Sequence, residues 1–168
     1  MDKRKKEVGE QEALFKLSAL CSQAEHSSGE MREKMRRWQL PADAQERIMR
    51  RLVDDKYVDD ERYCRLFVRD KLRFCGWGPR KISQALRLKG VAEATAEKHI
   101  AAVAEEEWAE ALRPLIAAKR RTLKAASPYE LQAKLMRFAM GRGFGIDTAR
   151  QCIGGADGPD DCLADDDF

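Results

Sequence analysis

An all-α fold, an elongated and curved array of three tandem three-helix repeats, is predicted by three features of this sequence. The first is an apolar spacing that recurs: Met31, Met35, Leu40 and Met49 are followed 51 residues on by Ile82, Leu86, Val91 and Ile100. A further 53 residues on come Leu135, Ala139, Phe144 and Ile153. Offsets of four fall on one helical face, so each window reads as helix, turn, helix. The turns are marked by Leu40-Pro41, Gly90-Val91 and Gly143-Phe144, which are stop signals. Modules of this period bury their apolar faces partly against neighbours, which favours an extended array over one sphere. The second feature is composition: 43% of the 168 residues are hydrophobic, enough for a core, but 36% are charged, against an ordinary share of roughly 25%. That surplus suits helices with solvated faces. The third is the lack of any useful run of β-branched residues alternating with polar ones.

The elements follow in order. Residues 1–10 hold the charge run Lys3-Arg4-Lys5-Lys6 and are expected to be disordered. The first repeat, 11–56, opens with a helix from Glu12 to Ala24 whose core face is Leu14, Leu17, Leu20 and Cys21. Ser28 is the expected cap of a second helix, Gly29 to Gln39. Asp43 begins a third, carrying Ile48, Met49 and Leu52. In the second repeat, 57–104, Asp59 caps a helix from Asp60 to Phe74. Tyr63, Phe67 and Phe74 share one direction there, with Cys64, Val68 and Leu72 widening the apolar arc. After Gly76-Trp77-Gly78, Pro79 suits the first position of a helix running from Arg80 to Lys89, and another spans Glu93 to Ala104. In the third repeat, 105–153, the acids Glu105, Glu106 and Glu107 suit a helix N-terminus, and Trp108 to Lys124 is helical. Pro114 is expected to kink or divide that helix. Helices from Tyr129 to Met140 and Ile146 to Ile153 complete it. Residues 154–168 are rich in Gly, Pro and Asp and are expected to be a disordered acidic tail.

Several chemistries find no support. The two histidines, His26 and His99, stand in no ligand cluster, so no metal is expected. Gly141-Arg142-Gly143-Phe144-Gly145 lacks the lysine and hydroxyl of a phosphate-binding loop and reads as a helix stop. The paired acids at 54–55, 59–60 and 105–107 fall at connectors and helix starts, where capping and dipole roles account for them. No nucleophile has a base partner. Hence no catalytic residue and no cofactor is expected, and the chain is not expected to be an enzyme. Five cysteines without a Cys-x-x-Cys pair, and a charged N-terminus without the apolar core of a signal peptide, suit a reduced, cytoplasmic protein. No stretch reaches the roughly 20 apolar residues of a membrane span.

Charge is the remaining lead. The net charge is +3, but six of the 29 acidic residues and none of the 32 basic ones lie from Asp157 onward, which leaves residues 1–156 at a net +9. A basic body suggests a polyanionic partner. Arg62, Arg65, Arg69 and Arg73 stripe one helix, opposite its apolar arc, while Arg80 and Arg87, seven apart, share a face of the next. Lys119, Arg120, Arg121 and Lys124 form a second reservoir, and Arg32, Lys34, Arg36 and Arg37 a third. Guanidinium forks suit phosphate and carboxylate. Any one such residue is more simply read as solubilising its helix; three clusters on a repeating scaffold point to a ligand surface. Trp38 and Trp108 are expected to pack, and Trp77 to close over the adjacent core.

The central stretch reads Tyr57-Val58-Asp59-Asp60-Glu61-Arg62-Tyr63, Phe67-Val68-Arg69, Gly78-Pro79-Arg80-Lys81-Ile82 and Leu86-Arg87-Leu88-Lys89-Gly90-Val91. With these motifs it resembles the RecX family, bacterial regulators of the RecA recombinase. It extends more weakly over residues 11–153. It implies tandem three-helix repeats and a non-enzymatic regulator that binds the RecA–DNA filament and mainly inhibits recombinase and ATPase activity, so regulating DNA repair. DNA is expected to be met through phosphate, and the protein is expected to be a monomer. The family offers no catalytic residues. The contact residues, Arg62, Arg65, Arg69, Arg73, Arg80, Arg87, Lys119, Arg120 and Arg121, are inferred from charge and helical phase. Two other readings stand beside it: a helix-turn-helix-like DNA-binding module with Arg80 to Lys89 as reader, and a scaffold for an acidic protein.

Overall fold

The computed structural model describes residues 7–154, which form nine α-helices and no strand. They are α1 (Glu10–Gln23), α2 (Ser28–Arg37), α3 (Ala42–Asp54), α4 (Asp60–Cys75), α5 (Pro79–Leu88), α6 (Glu93–Ala101), α7 (Glu105–Thr122), α8 (Pro128–Gly141) and α9 (Ile146–Gly154). The basic run before Glu7 and the acidic segment after Gly154 lie outside the described residues. Two compact units result. One joins the described residues up to Lys71 with Ile82–Ala102; the other joins Leu72–Lys81 with the described residues from Val103 on.

The recurrent apolar set supplies the core of both units. All of it is buried except Ile100, which is half-buried. The first unit also buries Ala13, Leu17, Ile48, Leu52 and Val58, and Val8 packs against this cluster, so order reaches back into the stretch expected to be disordered. In the second unit α9 packs on both α7 and α8, around Leu112, Ile116, Leu135 and Phe144.

Each repeat turns between its second and third helices with the same hydrogen bond, spanning six residues. Leu40 N donates to Met35 O (3.2 Å), Val91 N to Leu86 O (3.1 Å) and Phe144 N to Ala139 O (3.2 Å). Such a turn needs a left-handed residue just before the donor. Gly90 (φ 70°) and Gly143 (φ 91°) supply it cheaply, and in the first repeat Gln39 (φ 58°) takes the same conformation without that advantage.

A second element of geometry recurs where the start of one repeat's middle helix meets a turn of the repeat that follows. In the first unit the Ser27 hydroxyl donates to Lys89 O (2.5 Å), and Gly29 lies so close that a Cβ there would stand 2.3 Å from the same oxygen. At the corresponding positions of the second unit, Gly78 N donates to Arg142 O (2.7 Å) and Arg80 N to Gly143 O (3.0 Å). This joint explains why Ser27, not Ser28, caps α2. Ser27 Oγ accepts from Glu30 N (3.2 Å) while the Glu30 carboxylate accepts from Ser27 N (3.2 Å), a reciprocal capping box. Ser28 instead donates from its backbone and hydroxyl to the Asp60 carboxylate, at 2.8 and 2.5 Å.

Other boundaries shift for local reasons. Helix α6 ends at Ala101, short of Ala104, because Ala104 is the extended N-cap of α7 (ψ 146°). The three glutamates therefore form the first turn of α7, which starts at Glu105 rather than Trp108. Pro114 does not divide α7: the helix runs through it, flanked by buried Ala109, Leu112 and Ile116. Proline removes a single bond to the carbonyl four residues back, and the packed face on either side holds the helix together. On α4, Asp59 caps as expected, accepting from Arg62 N (3.1 Å). Phe74 departs from expectation: it is 82% exposed although it shares its direction with buried Tyr63. Trp108 is buried and Trp38, the C-cap residue of α2, is half-buried, in line with the expectation that both pack.

Candidate functional site

The basic residues singled out by charge divide into those whose charge is used inside the fold and those left outward. Arg62 belongs to the first group. Its Nε donates to Glu25 Oε1 (2.7 Å) and its Nη2 to Lys56 O (3.1 Å), tying the start of α4 to the connection between α1 and α2. That pairing raises the guanidinium's affinity for its proton. The sequence placed Arg62 on the ligand stripe; the structure makes it an internal clamp, because Glu25 lies within reach across the α1–α2 turn.

Arg65 and Arg69, a helical turn apart on α4 in the first unit, are exposed and have no ion-pair partner among the described residues. Arg87 near the end of α5 is likewise exposed. In the second unit Arg73 and Arg80 flank the α4–α5 turn and are exposed. The Arg80 backbone N–H is engaged by Gly143 O.

The α7 reservoir is largely structural. Lys119 Nζ sits 5.3 Å from the Phe138 ring centre, and Arg120 Nη2 donates to Ile153 O (3.0 Å), closing the end of α9. Arg121 reaches back to Ala117 O (3.4 Å) and stays exposed. Sequence reasoning passed over Arg142, reading its surroundings only as a stop. Its Nη1 donates to Cys75 O (3.0 Å) and Gly76 O (3.4 Å), with the guanidinium 5.1 Å from the Phe138 ring centre. It caps the Cys75 carbonyl that ends α4 and the Gly76 carbonyl just beyond it. An arginine two residues before a buried phenylalanine in a glycine turn was the available signal. Beside it lies an open cleft of about 580 Å³, lined in part by Arg73, exposed Phe74, Glu107, Glu110 and Leu115.

Among the described residues no group of His, Cys, Asp and Glu is placed to hold a metal ion. Burial pushes the Cys64 thiol up to about 11 and raises those of Cys21 and Cys152, so these sulfurs stay protonated and weakly nucleophilic. Glu61 is held below the ordinary carboxylate range by hydrogen bonds from His99 and Lys98, a tie between α4 and α6. No helix among the described residues is long and apolar enough to cross a membrane.

Known proteins agree with this architecture. Residues 59–100 match the second three-helix domain of RecX, and residues 105–153 match the third. The chain is 28% identical over 144 residues to the regulatory protein RecX of Lactobacillus johnsonii, covering 86% of this chain and 53% of that one. It thus spans about half the length of that relative. It is 30% identical over 132 residues to the regulatory protein RecX of Haemophilus ducreyi, covering 79% of this chain and 84% of the relative. The crystal structure of RecX from Lactobacillus salivarius superposes with a TM-score of 0.79 at 21% identity, over 87% of this chain and 95% of that one, a likeness of fold alone. Two consecutive domain matches covering more than half the chain, and a relative spanned over most of its length, place this chain in the RecX family of regulatory proteins.

Proposed function

We propose that this protein binds the RecA filament on DNA and restrains its growth, ATPase and strand exchange without chemistry of its own, acting as a cytoplasmic monomer in the regulation of DNA repair. The observation that carries the reading is the outward, unpaired row Arg65, Arg69 and Arg73 on α4, the helix that opens the matched second domain. Guanidinium groups with free donors can take carboxylates of a protein filament or phosphates of its DNA. Residues 11–56, 57–104 and 105–153 are the repeats that would offer successive contacts, and linked contacts multiply avidity. The helix-turn-helix alternative is disfavoured by the start of α5. A reading helix offers its N-terminal residues to the groove, whereas Gly78 and Arg80 here spend their N–H groups on Arg142 and Gly143 carbonyls.

The DNA-dependent ATPase of RecA from the same organism tests the proposal. Inhibition well below one copy per recombinase is expected, as for action at growing ends; no effect at an equimolar ratio would refute it. In the same proposal the six carboxylates from Asp157 onward would compete with phosphate for arginine. Removing the residues after Gly155 should raise affinity for DNA severalfold at low salt, measured by fluorescence anisotropy. Equal affinity would discard this shielding role.

A further inference from the structure

The joint of the first unit carries a cleft that the proposed contact row does not use. It measures about 650 Å³ and is lined by Arg32, Lys34, Arg36, Arg37 and Lys89, with Leu88, 88% exposed, beside it. Two carboxylates, Glu30 and Glu33, share the lining. Glu30 is committed to the joint: Lys89 Nζ lies 2.9 Å from it, and it completes the α2 capping box. Glu33 pairs with Arg36 Nη2 (2.8 Å) and Arg37 Nε (3.2 Å), and Arg32 Nη1 with Glu46 (2.7 Å). Each of these three guanidinium groups engages a carboxylate through one nitrogen, so its remaining donors are free. Exposed pairs of this kind hold weakly and yield readily to a phosphate. Lys34 has no ion-pair partner among the described residues.

The repeat itself supplies a control for whether these bases serve the fold. The second unit builds the same joint from Gly78, Arg80, Arg142 and Gly143. At the positions 51 residues beyond Arg32, Lys34, Arg36 and Arg37 the chain has Ser83, Ala85, Arg87 and Leu88. Both middle helices end in the same turn, and α5 manages with Arg87 as the base of its last turn where α2 has Lys34, Arg36 and Arg37. Helix termination and joint packing therefore do not require the bases at 32, 34 and 37. Basic side chains concentrated around a concave surface, on a scaffold that does not need them, have the form of a polyanion site.

We infer that the cleft at the α2 end and the α5–α6 turn binds the phosphate backbone of nucleic acid. It is a second contact, separate from Arg65, Arg69 and Arg73. The inference rests on the nucleic-acid side of the proposed function and not on the RecA contact. Single-stranded DNA is the form expected, because exposed Leu88 beside the bases can pack on sugars and unstacked bases that a duplex hides.

Anisotropy of a fluorescein-labelled thirty-nucleotide oligo-dT, titrated at several salt concentrations, tests it on the full chain. Each phosphate contact on a single strand contributes about 0.7 to the slope of log affinity against log salt. Lys34→Gln with Arg37→Gln should lower that slope by about 1.4 and weaken binding ~25-fold at 0.1 M salt, with Arg150→Gln on α9 unchanged. Arg37→Gln alone, at a side chain 74% exposed, gives half the slope change and guards against misfolding, which circular dichroism would also reveal. An unchanged slope in folded variants overturns the site. So does wild-type protein that fails to bind the oligonucleotide, or that releases it to poly-L-glutamate at equal charge. An unchanged slope beside wild-type inhibition of RecA ATPase means that the cleft fails alone and the proposed function stands; a wild type that does not inhibit RecA is a failure of that function and leaves this titration to be judged by itself.

Discussion

Replacing Arg65, Arg69 and Arg73 together with glutamate should abolish inhibition of RecA ATPase at an equimolar ratio while leaving helicity unchanged. All three are exposed and without ion-pair partners among the described residues, and substitutions at such positions usually alter stability by less than about 0.5 kcal/mol each. Binding has more to lose. Turning a cation into an anion beside a partner's negative charge costs on the order of 1 kcal/mol per site even at the dielectric of water. Three such changes amount to ~3 kcal/mol, or an affinity loss above a hundredfold. Lysine at the same three positions keeps the charge but not the fork, so partial activity there would separate steering from bidentate contact. Arg62 is left out deliberately. Its reversal would set two carboxylates together at Glu25 and disturb the tie between α4 and the α1–α2 connection, confusing a binding effect with a folding one. A folded triple-glutamate variant that still inhibits RecA at equimolar ratio would remove this row from the contact.

Arg62 also shows where sequence reasoning about the site runs out. Helical phase correctly set Arg62, Arg65, Arg69 and Arg73 away from the buried Cys64, Val68 and Leu72. Phase describes one helix, however, and the fate of a guanidinium depends on what other elements bring near it. Glu25 lies 37 residues back, on the far side of two helices, and no local pattern announces that it meets Arg62 at 2.7 Å. Arg120 is the same case, its partner being the Ile153 carbonyl at the end of α9. Long-range partners sort equally charged residues into those engaged within the fold and those left outward. That sorting became visible only in three dimensions.

The fold was more legible, because its signals are local and repeated three times. The spacing of Met31, Met35 and Leu40 recurs with a shared hydrogen bond at each turn, and Gly90 and Gly143 mark two of the three turns outright. What escaped detection were features set by neighbouring repeats. Ser27 and Ser28 are equally good caps by residue type; the proximity of Lys89 O and of the Asp60 carboxylate assigns one to the cap and the other to α4. Pro114 looked decisive in isolation, yet packing of α7 against α9 outweighs one missing hydrogen bond. Phe74 erred in the opposite sense, since its direction along α4 agrees with Tyr63 but it remains exposed.

The joint between repeats permits the second large effect, carried by one methyl group. A Cβ at Gly78 would stand 2.3 Å from Phe144 N and 2.4 Å from Gly143 C, both backbone atoms that no rotamer change can move aside. Relief requires the α5 start and the α8–α9 turn to separate, which stretches the 2.7 Å bond from Gly78 N to Arg142 O and the 3.0 Å bond from Arg80 N to Gly143 O. Gly78 has no left-handed φ, so alanine suits its own backbone. In open space the change would even stabilise, by roughly 0.4–1 kcal/mol through the unfolded chain. The clash must therefore account for any loss. Overpacking against rigid atoms costs about 3 kcal/mol, and Gly78→Ala should lower the thermal midpoint by roughly 6–12 °C for a chain of this size. Gly29→Ala should do likewise in the first unit, where the obstacle is Lys89 O at 2.3 Å. Gly141, at the end of α8, is the matched control, because a Cβ added there would meet nothing within 4 Å: alanine at that position should hold or raise the midpoint. A Gly78→Ala protein melting with the wild type would mean that the two backbones do not approach this closely. Loss at both Gly29 and Gly78, with gain at Gly141, would tie stability to a joint used twice.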